Sequence, residues 1–381
     1  MASRIITPIN SILPSLRVPI FCGPMSGAAG GKLAAAVTNG GGLGFIGGGY
    51  FTPEQYTANL KEASQSLHGS GKPTGRLEIG VGFLCWGLSK LDQTSSGSST
   101  VVSGTDYQHR TKAVACIDAA LKFRPRAVWL AFGNEEELAG WAQVMREREK
   151  LFNKDHELES WKLFVGVGSV QEARVAVEKV GADVIVAQGC EAGGHGSSTS
   201  PPLLNLLPSI SAALPSFSPL NPTSQPPSLL GAGGLSSGTH LAAILNLGAH
   251  GAVYGTRFLL TPESTYSDTR KQLLRDAGHG STIRSMAFDE ARNTLDWPNG
   301  VDGRGIVNQT VEDYRAGQLG RHDRQERYTR ADKEDDKQRL IVWAGTGVGD
   351  VHEITPAEDV VKQMEKEAIQ ALRSAGTYLQ G

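Results

Sequence analysis

One histidine is flanked by glycines in a position that suits chemistry. His195 lies in residues 184–198, "VIVAQGCEAGGHGSS", directly after an apolar run typical of a buried strand. At the carboxyl end of a strand we expect it on an exposed loop, free to meet a ligand, and an imidazole titrates near neutral pH. We therefore predict a general base or an electrostatic partner for an anionic substrate. Glu191 lies four residues earlier, but Gly193 and Gly194 disfavour the helix that a metal-binding pair would need, so no metal site is predicted.

A glycine-rich stretch near the N-terminus has the spacing of a dinucleotide-binding turn but the wrong context. Residues 40–49 read "GGGLGFIGGG", in which Gly42, Gly44 and Gly47 satisfy G-x-G-x-x-G. That fingerprint needs a strand before it and a helix after it, so that the pyrophosphate meets a helix N-terminus. Here a helical pattern precedes the glycines and a strand follows. We predict a helix-to-strand turn at the first glycines and open space for a flat ligand at the last.

A later glycine cluster has the order of strand, turn and helix that anion binding requires. "SLLGAGGLSSGTHLAAIL" begins at residue 228, and "GAVYGTRFL" follows one unit later, from residue 251. Turn amides after the last two strands of a barrel commonly bind phosphate. The predicted phosphate-binding amides are those of Gly233, Gly234, Leu235, Gly255 and Thr256.

Short apolar runs alternate with helical patterns from residue 19 onward, which is typical of a parallel α/β protein. The predicted strands are 19–22, 44–47, 77–84, 127–132, 162–168, 182–189, 228–234 and 251–256. Eight strand-helix units favour a closed (β/α)8 TIM barrel over an open sheet. We predict the barrel over 1–260, a smaller, mostly helical domain inserted after strand eight over 261–338, and a C-terminal segment, 339–381, that returns to the barrel. That segment carries a long amphipathic pattern over 357–376.

The composition is that of an ordinary soluble enzyme. Lys plus Arg number 37 against 39 Asp plus Glu, so nothing indicates a nucleic acid or a membrane surface as partner. No apolar run reaches the roughly 18 residues of a membrane helix. The four cysteines are far apart and form no C-x-x-C pair, which favours a reducing compartment. We predict a cytoplasmic protein with an unstructured start; the acid-free first 18 residues leave a mitochondrial presequence as the weaker alternative.

Together these segments resemble the nitronate monooxygenase family, formerly called 2-nitropropane dioxygenases. The resemblance rests on "PIFCGPMSGAAGGKLAAAVTNGGGLGFIG", "GVGFL", "AQGCEAGGHG", "GAGGLSSGTHLAAILNLGAHGAVYGTRFL" and "WAGTGVGDVHEITPAEDVV". Residues 288–308, "FDEARNTLDWPNGVDGRGIVN", are similar to those of fungal members. The resemblance implies an FMN-dependent TIM barrel that oxidises alkyl nitronates, and in some members nitroalkanes, with O₂ to a carbonyl compound and nitrite through a flavin semiquinone.

The same resemblance implies roles for individual positions. Gly23, Pro24 and Met25 would line the flavin ring, Gln188 would hydrogen-bond it, and Gly193 and Gly194 would let the histidine loop approach it. Gly233, Gly234, Gly255 and Thr256 would hold the phosphate. His195 would deprotonate neutral nitroalkanes or steer anionic nitronates.

Two positions depart from the pattern of some family members. Gly82 replaces an asparagine on strand three, and Gly166 replaces a lysine on strand five. Without that lysine, stabilisation of an anionic flavin must come from other groups, such as backbone amides or a helix dipole. The substrate range is therefore open.

Two alternatives to a nitronate monooxygenase remain. The FMN-dependent enoyl-acyl carrier protein reductases share the barrel and an "EAGGH"-like loop, and reduce their flavin with NAD(P)H. A barrel that binds FMN but has lost catalysis is the other. The expected partners are a small-molecule substrate and O₂, and a homodimer is left open.

Overall fold

Eight parallel strands close into a barrel in chain order. The computed structural model describes residues 4–68, 75–92, 107–153, 159–220 and 226–378. Its strands are β1 Ile20–Cys22, β2 Leu43–Gly47, β3 Leu77–Leu84, β4 Pro125–Ala131, β5 Lys162–Val167, β6 Val184–Gln188, β7 Gly194–Ser197, β8 Ser228–Ala232, β9 Gly251–Tyr254, β10 Thr282–Ser285 and β11 Val301–Ile306. The barrel order is β1-β2-β3-β4-β5-β6-β8-β9, and β9 pairs with β1 to close it. The predicted (β/α)8 barrel is confirmed, and each predicted strand overlaps an observed one.

Helices surround the barrel and follow its last strand. They are α1 Gly31–Asn39, α2 Pro53–Ser66, α3 Cys85–Lys90, α4 Thr111–Leu121, α5 Glu135–Phe152, α6 Val170–Val175, α7 Leu203–Ala213, α8 Gly238–Asn246, α9 Thr256–Leu259, α10 Asp268–Asp276, α11 Ala287–Arg292, α12 Gln309–Ala316, α13 Arg321–Glu334 and α14 Ala357–Gly376. The amphipathic pattern at 357–376 therefore forms one helix, as predicted. That helix packs against α8 and α1. None of the described helices is long and apolar enough to cross a membrane.

Aromatic side chains fill the interior of the barrel. Phe45 meets Trp129 and Phe164 with ring centroids 5.3 and 5.0 Å apart. Ile9 and Leu13 from the N-terminal segment pack on the same cluster and are almost fully buried. The prediction of an unstructured start is therefore wrong for this segment, because its apolar side chains have a barrel surface to cover.

The segment after β9 forms an antiparallel sheet as well as helices. Its strands β10 and β11 pair with each other, and β11 also pairs with β7. Phe288, Val311 and Ile341 are buried together beside this sheet, away from the barrel's own core. Because β7 belongs to the chain between two barrel strands, it ties the added segment to the barrel mouth. The boundaries 1–260, 261–338 and 339–381 stay predictions.

Candidate active site

The carboxyl ends of the barrel strands and the added segment enclose a cavity. All of the sequence-predicted site residues line it: Gly23, Pro24, Met25, Gln188, Gly193, Gly194, His195, Gly233, Gly234, Leu235, Gly255 and Thr256. The structure thus brings together residues from five separate parts of the chain. What each of them binds stays a prediction.

The first glycine-rich stretch has the divided role that its context predicts. Helix α1 ends at Asn39, Gly41 turns the chain with a φ of +102°, and β2 follows. Gly47 and the two glycines after it line the cavity. A Cβ at Gly47 would overlap the backbone of Met25. Glycine here lets two cavity-lining loops touch, and it does not form a dinucleotide turn.

The second glycine cluster presents free amides at one end of the cavity. Gly233 and Gly234 have φ values of +114° and +69°, a left-handed backbone that favours glycine. In the described part of the chain, no acceptor takes a hydrogen bond from the amides of Gly233, Gly234, Leu235, Gly255 and Thr256. Such a group of unpaired N–H donors suits a phosphate. The N-terminus of α8 is not part of it, because Glu367 accepts from the amide of Gly238 at 2.8 Å.

Another part of the cavity lining suits a flat ring. Gln188 donates from Nε2 to the carbonyl oxygen of His195 at 2.8 Å, which leaves its Oε1 for a ligand donor. A Cβ at Gly82 would overlap the ring of Pro24, so an asparagine could not stand there without displacing it. A Cβ at Gly166 would lie 3.5 Å from Nε1 of Trp129, at ordinary contact distance. The indole of Trp129 thus borders Gly166, one of the two positions at which the chain departs from the pattern that the resemblance implied.

His195 does not lie on a free loop, as the sequence indicated. It sits in β7, opposite Gly303 of β11, and its side chain is only 9% exposed. The prediction of an exposed loop is wrong because the strand that pairs with β7 comes more than 100 residues later. A four-residue strand with two glycines has no sequence pattern of its own.

A buried aspartate holds the imidazole. Nε2 of His195 lies 2.9 and 3.0 Å from the two carboxylate oxygens of Asp289, and Thr294 donates to the same carboxylate at 2.8 Å. Because a carboxylate only accepts, Nε2 carries the hydrogen and Nδ1 keeps its lone pair. Nδ1 has no partner among the described residues and is left for a ligand.

Two tryptophans enclose the imidazole. Trp297 stacks on His195 with centroids 3.7 Å apart and an angle of 12°, and Trp343 lies 4.9 Å away. This burial lowers the pKa of His195 below its ordinary value; the carboxylate of Asp289 opposes the shift, while Arg292 adds to it. His195 is therefore a neutral base at pH 7.

Several residues around His195 were missed by sequence reasoning. Asp289, Arg292, Trp297, Trp343 and Tyr266 all belong to the chain after β9. Three of them lie in the segment 288–308, which the resemblance singled out without giving any of its residues a role. An acid, an arginine and several aromatic residues together are a combination that could indicate a functional site. No local pattern in the sequence, however, could show that these residues lie around His195.

The chain is similar to known nitronate monooxygenases along its whole length. The model of the family described as nitronate monooxygenase matches residues 9–69 and 142–367. A nitronate monooxygenase of Neurospora crassa is 29% identical over 389 residues, with 99% of this chain and 96% of that protein covered. Nitronate monooxygenase npaC of Metarhizium robertsii is 30% identical, with 96% of each covered.

Solved structures share the fold. FabK from Thermotoga maritima superposes with a TM-score of 0.71 at 22% identity, covering 98% of this chain and 100% of that one. A nitroalkane oxidase from Streptomyces ansochromogenes superposes with a TM-score of 0.68 at 25% identity, covering 96% and 99%. The similarity to FabK shows only that the two proteins share an architecture, because the sequence identity is low and TIM barrels support many different reactions.

Proposed function

Since the chain belongs to the nitronate monooxygenase family, we propose that it is a flavin enzyme that oxidises alkyl nitronates with O₂ to a carbonyl compound and nitrite. The observation that carries the proposal is the contact between His195 and the buried Asp289, at a cavity whose lining also offers unpaired amides. Neutral nitroalkanes are proposed as further substrates, since a base stands ready to deprotonate them. The enoyl-thioester reductase alternative is supported by the shared barrel and the "EAGGH"-like loop, and by no family model or curated relative reported above.

A flavin is the cofactor that family membership implies, and we propose FMN. FMN carries one phosphate, and the free amides of Gly233, Gly234, Leu235, Gly255 and Thr256 offer donors for it. Met25 and Pro24 offer apolar contact to a ring, and Oε1 of Gln188 offers an acceptor. A flavin held by these residues would supply the redox chemistry that couples oxidation of the nitronate to reduction of O₂.

The protein's own residues prepare the substrate. Nδ1 of His195 takes the proton from the α-carbon of a neutral nitroalkane, and Asp289 stabilises the imidazolium that results. A preformed nitronate has already lost this proton and needs no base. The indoles of Trp297 and Trp343 exclude water from the imidazole.

Asp289→Asn is expected to slow turnover of neutral nitroalkanes about 10-fold or more, because the amide no longer fixes the tautomer of His195. The pH profile supplies a second readout. In the parent, burial lowers the pKa of His195. As the pH is lowered, kcat/KM for a neutral nitroalkane is therefore expected to decrease only at pH values below the usual pKa range of an imidazole. The carboxylate of Asp289 raises the pKa of His195. Its removal is therefore expected to shift the acid limb of the pH profile, the decrease of kcat/KM at low pH, to still lower pH.

The control for this prediction is Asp296→Asn, which removes an exposed acid of the same segment that pairs with Lys90. It is expected to leave both the rate and the acid limb unchanged. An acid limb that stays in place in Asp289→Asn would contradict the assigned pairing.

Two assays test the proposed function directly. Mass spectrometry of the cofactor released from purified protein is expected to give FMN, and aerobic incubation with ethyl nitronate is expected to give nitrite and acetaldehyde. Protein that takes up no flavin would refute the cofactor assignment. A cytoplasmic location stays a prediction from the sequence, and a homodimer stays open.

A further inference from the structure

The cavity carries a lone positive charge. Among its described lining residues, Arg292 is the single lysine or arginine, and no aspartate or glutamate lines it. Asp289, one helical turn earlier, lies behind the imidazole, fully buried and engaged by His195 and Thr294. The cavity is therefore built for an anion, and its charge comes from the segment that follows the barrel.

The guanidinium of Arg292 is held in place without being neutralised. It lies over the ring of Trp343, 5.7 Å from the centroid, in a cation–π contact that leaves its N–H groups available. In the ranges that the structure describes, no oxygen accepts a hydrogen bond from it and no carboxylate pairs with it. None of its nitrogens is among the buried side-chain atoms that lack a partner, so they keep solvent access and can exchange water for the oxygens of a ligand.

A phenol borders the same space. Tyr266 lines the cavity and accepts a hydrogen bond from the amide of Trp343 at 3.3 Å. Its own hydroxyl hydrogen has no acceptor within the described residues. Burial raises the pKa of Tyr266 to about 12, and the charge of Arg292 acts on it in the opposite direction. The hydroxyl therefore stays protonated at neutral pH and can donate.

We propose that Arg292 and Tyr266 form the subsite that binds the nitro end of the substrate, beside His195. A nitronate is planar and spreads its charge over two oxygens, which is the shape that a guanidinium fork recognises with two parallel hydrogen bonds. The subsite also favours deprotonation of a neutral nitroalkane, since the charge that develops on its oxygens meets a fixed cation. This inference rests on the proposed function for the identity of the substrate.

The test measures anion binding to the flavin-loaded enzyme without turnover. Nitrate and propanoate, two planar anions that cannot be oxidised at the site, are titrated while the fluorescence of the cavity tryptophans and the flavin absorbance are recorded. Arg292→Met is expected to weaken both dissociation constants by about 10- to 100-fold. Arg292→Lys keeps the positive charge but loses the two parallel N–H donors of the guanidinium. Its dissociation constants are expected to lie between those of the parent and those of Arg292→Met. Tyr266→Phe is expected to cost about 3- to 10-fold.

The matched control is Arg330→Met, which removes an exposed arginine from α13 and is expected to change neither constant. KM for ethyl nitronate is expected to rise in Arg292→Met more than kcat falls. Unchanged binding of nitrate and propanoate in both Arg292 variants would overturn the subsite, even if the parent oxidises nitronates. Arginine-dependent anion binding in a parent that does not oxidise nitronates would support the subsite and refute the proposed function instead.

Discussion

Replacing His195 with asparagine is expected to slow turnover of neutral nitroalkanes by about 10²- to 10⁴-fold, the usual contribution of a positioned base. Turnover of preformed nitronates is expected to fall far less, because their α-carbon has no proton to remove. Asparagine ends short of the position of Nε2, so Asp289 loses this partner but still accepts a hydrogen bond from Thr294. Steady-state oxygen uptake with nitroethane and with ethyl nitronate measures the two effects side by side.

His322→Asn is the control for this substitution, because His322 is 81% exposed on α13 and is expected to act on neither substrate. Flavin content should stay equal in all three proteins. Equal losses on nitroethane and ethyl nitronate in His195→Asn would contradict the role of a base and leave only a role in binding.

Gly233→Ala is expected to weaken flavin binding about 100-fold or more. Gly233 has a φ of +114°, which an L-residue rarely adopts, and an added Cβ would lie 3.1 Å from the amide nitrogen of Ala192. The turn must therefore change its conformation and withdraw two or more amides from the phosphate. Each such hydrogen bond to a charged group contributes about 1.5–3 kcal/mol. Titration of apoprotein with FMN, followed by quenching of flavin fluorescence, measures the loss.

Gly255→Ala serves as the matched control at the same end of the cavity. Its φ is −110°, and the added Cβ would meet only Sδ of Met25, at 3.6 Å. The backbone amide of residue 255 and its orientation are kept, so the dissociation constant for FMN is expected to change by less than about 3-fold. Parent-like affinity in Gly233→Ala would show that the phosphate binds elsewhere.

The barrel and its glycine turns could be predicted because their signals are local. An apolar run predicts a strand wherever it lies, and Gly233 and Gly234 follow such a run and precede a helix. The carboxyl ends of parallel strands meet at one end of a barrel. The sequence order alone therefore predicted that His195 and the two glycine-rich turns lie at the same end of the barrel.

The surroundings of His195 could not be predicted because they depend on long-range pairing. β7 is a strand only because β11 pairs with it, and that pairing brings α11 to the imidazole. Asp289 and Arg292 lie one turn apart on α11, a spacing that equally fits an ordinary exposed ion pair. Nothing short of the tertiary structure shows that the acid is buried against His195 while the arginine lines the cavity.

Anaerobic mixing of the flavin-loaded enzyme with substrates in a stopped-flow spectrophotometer tests the central claim most directly. Ethyl nitronate is expected to change the spectrum of the oxidised flavin within the time of one turnover, and NADPH is expected to leave it unchanged. On admission of O₂, the oxidised spectrum should return and nitrite should accumulate. Rapid bleaching by NADPH with no response to ethyl nitronate would contradict nitronate oxidation and favour an enoyl-thioester reductase.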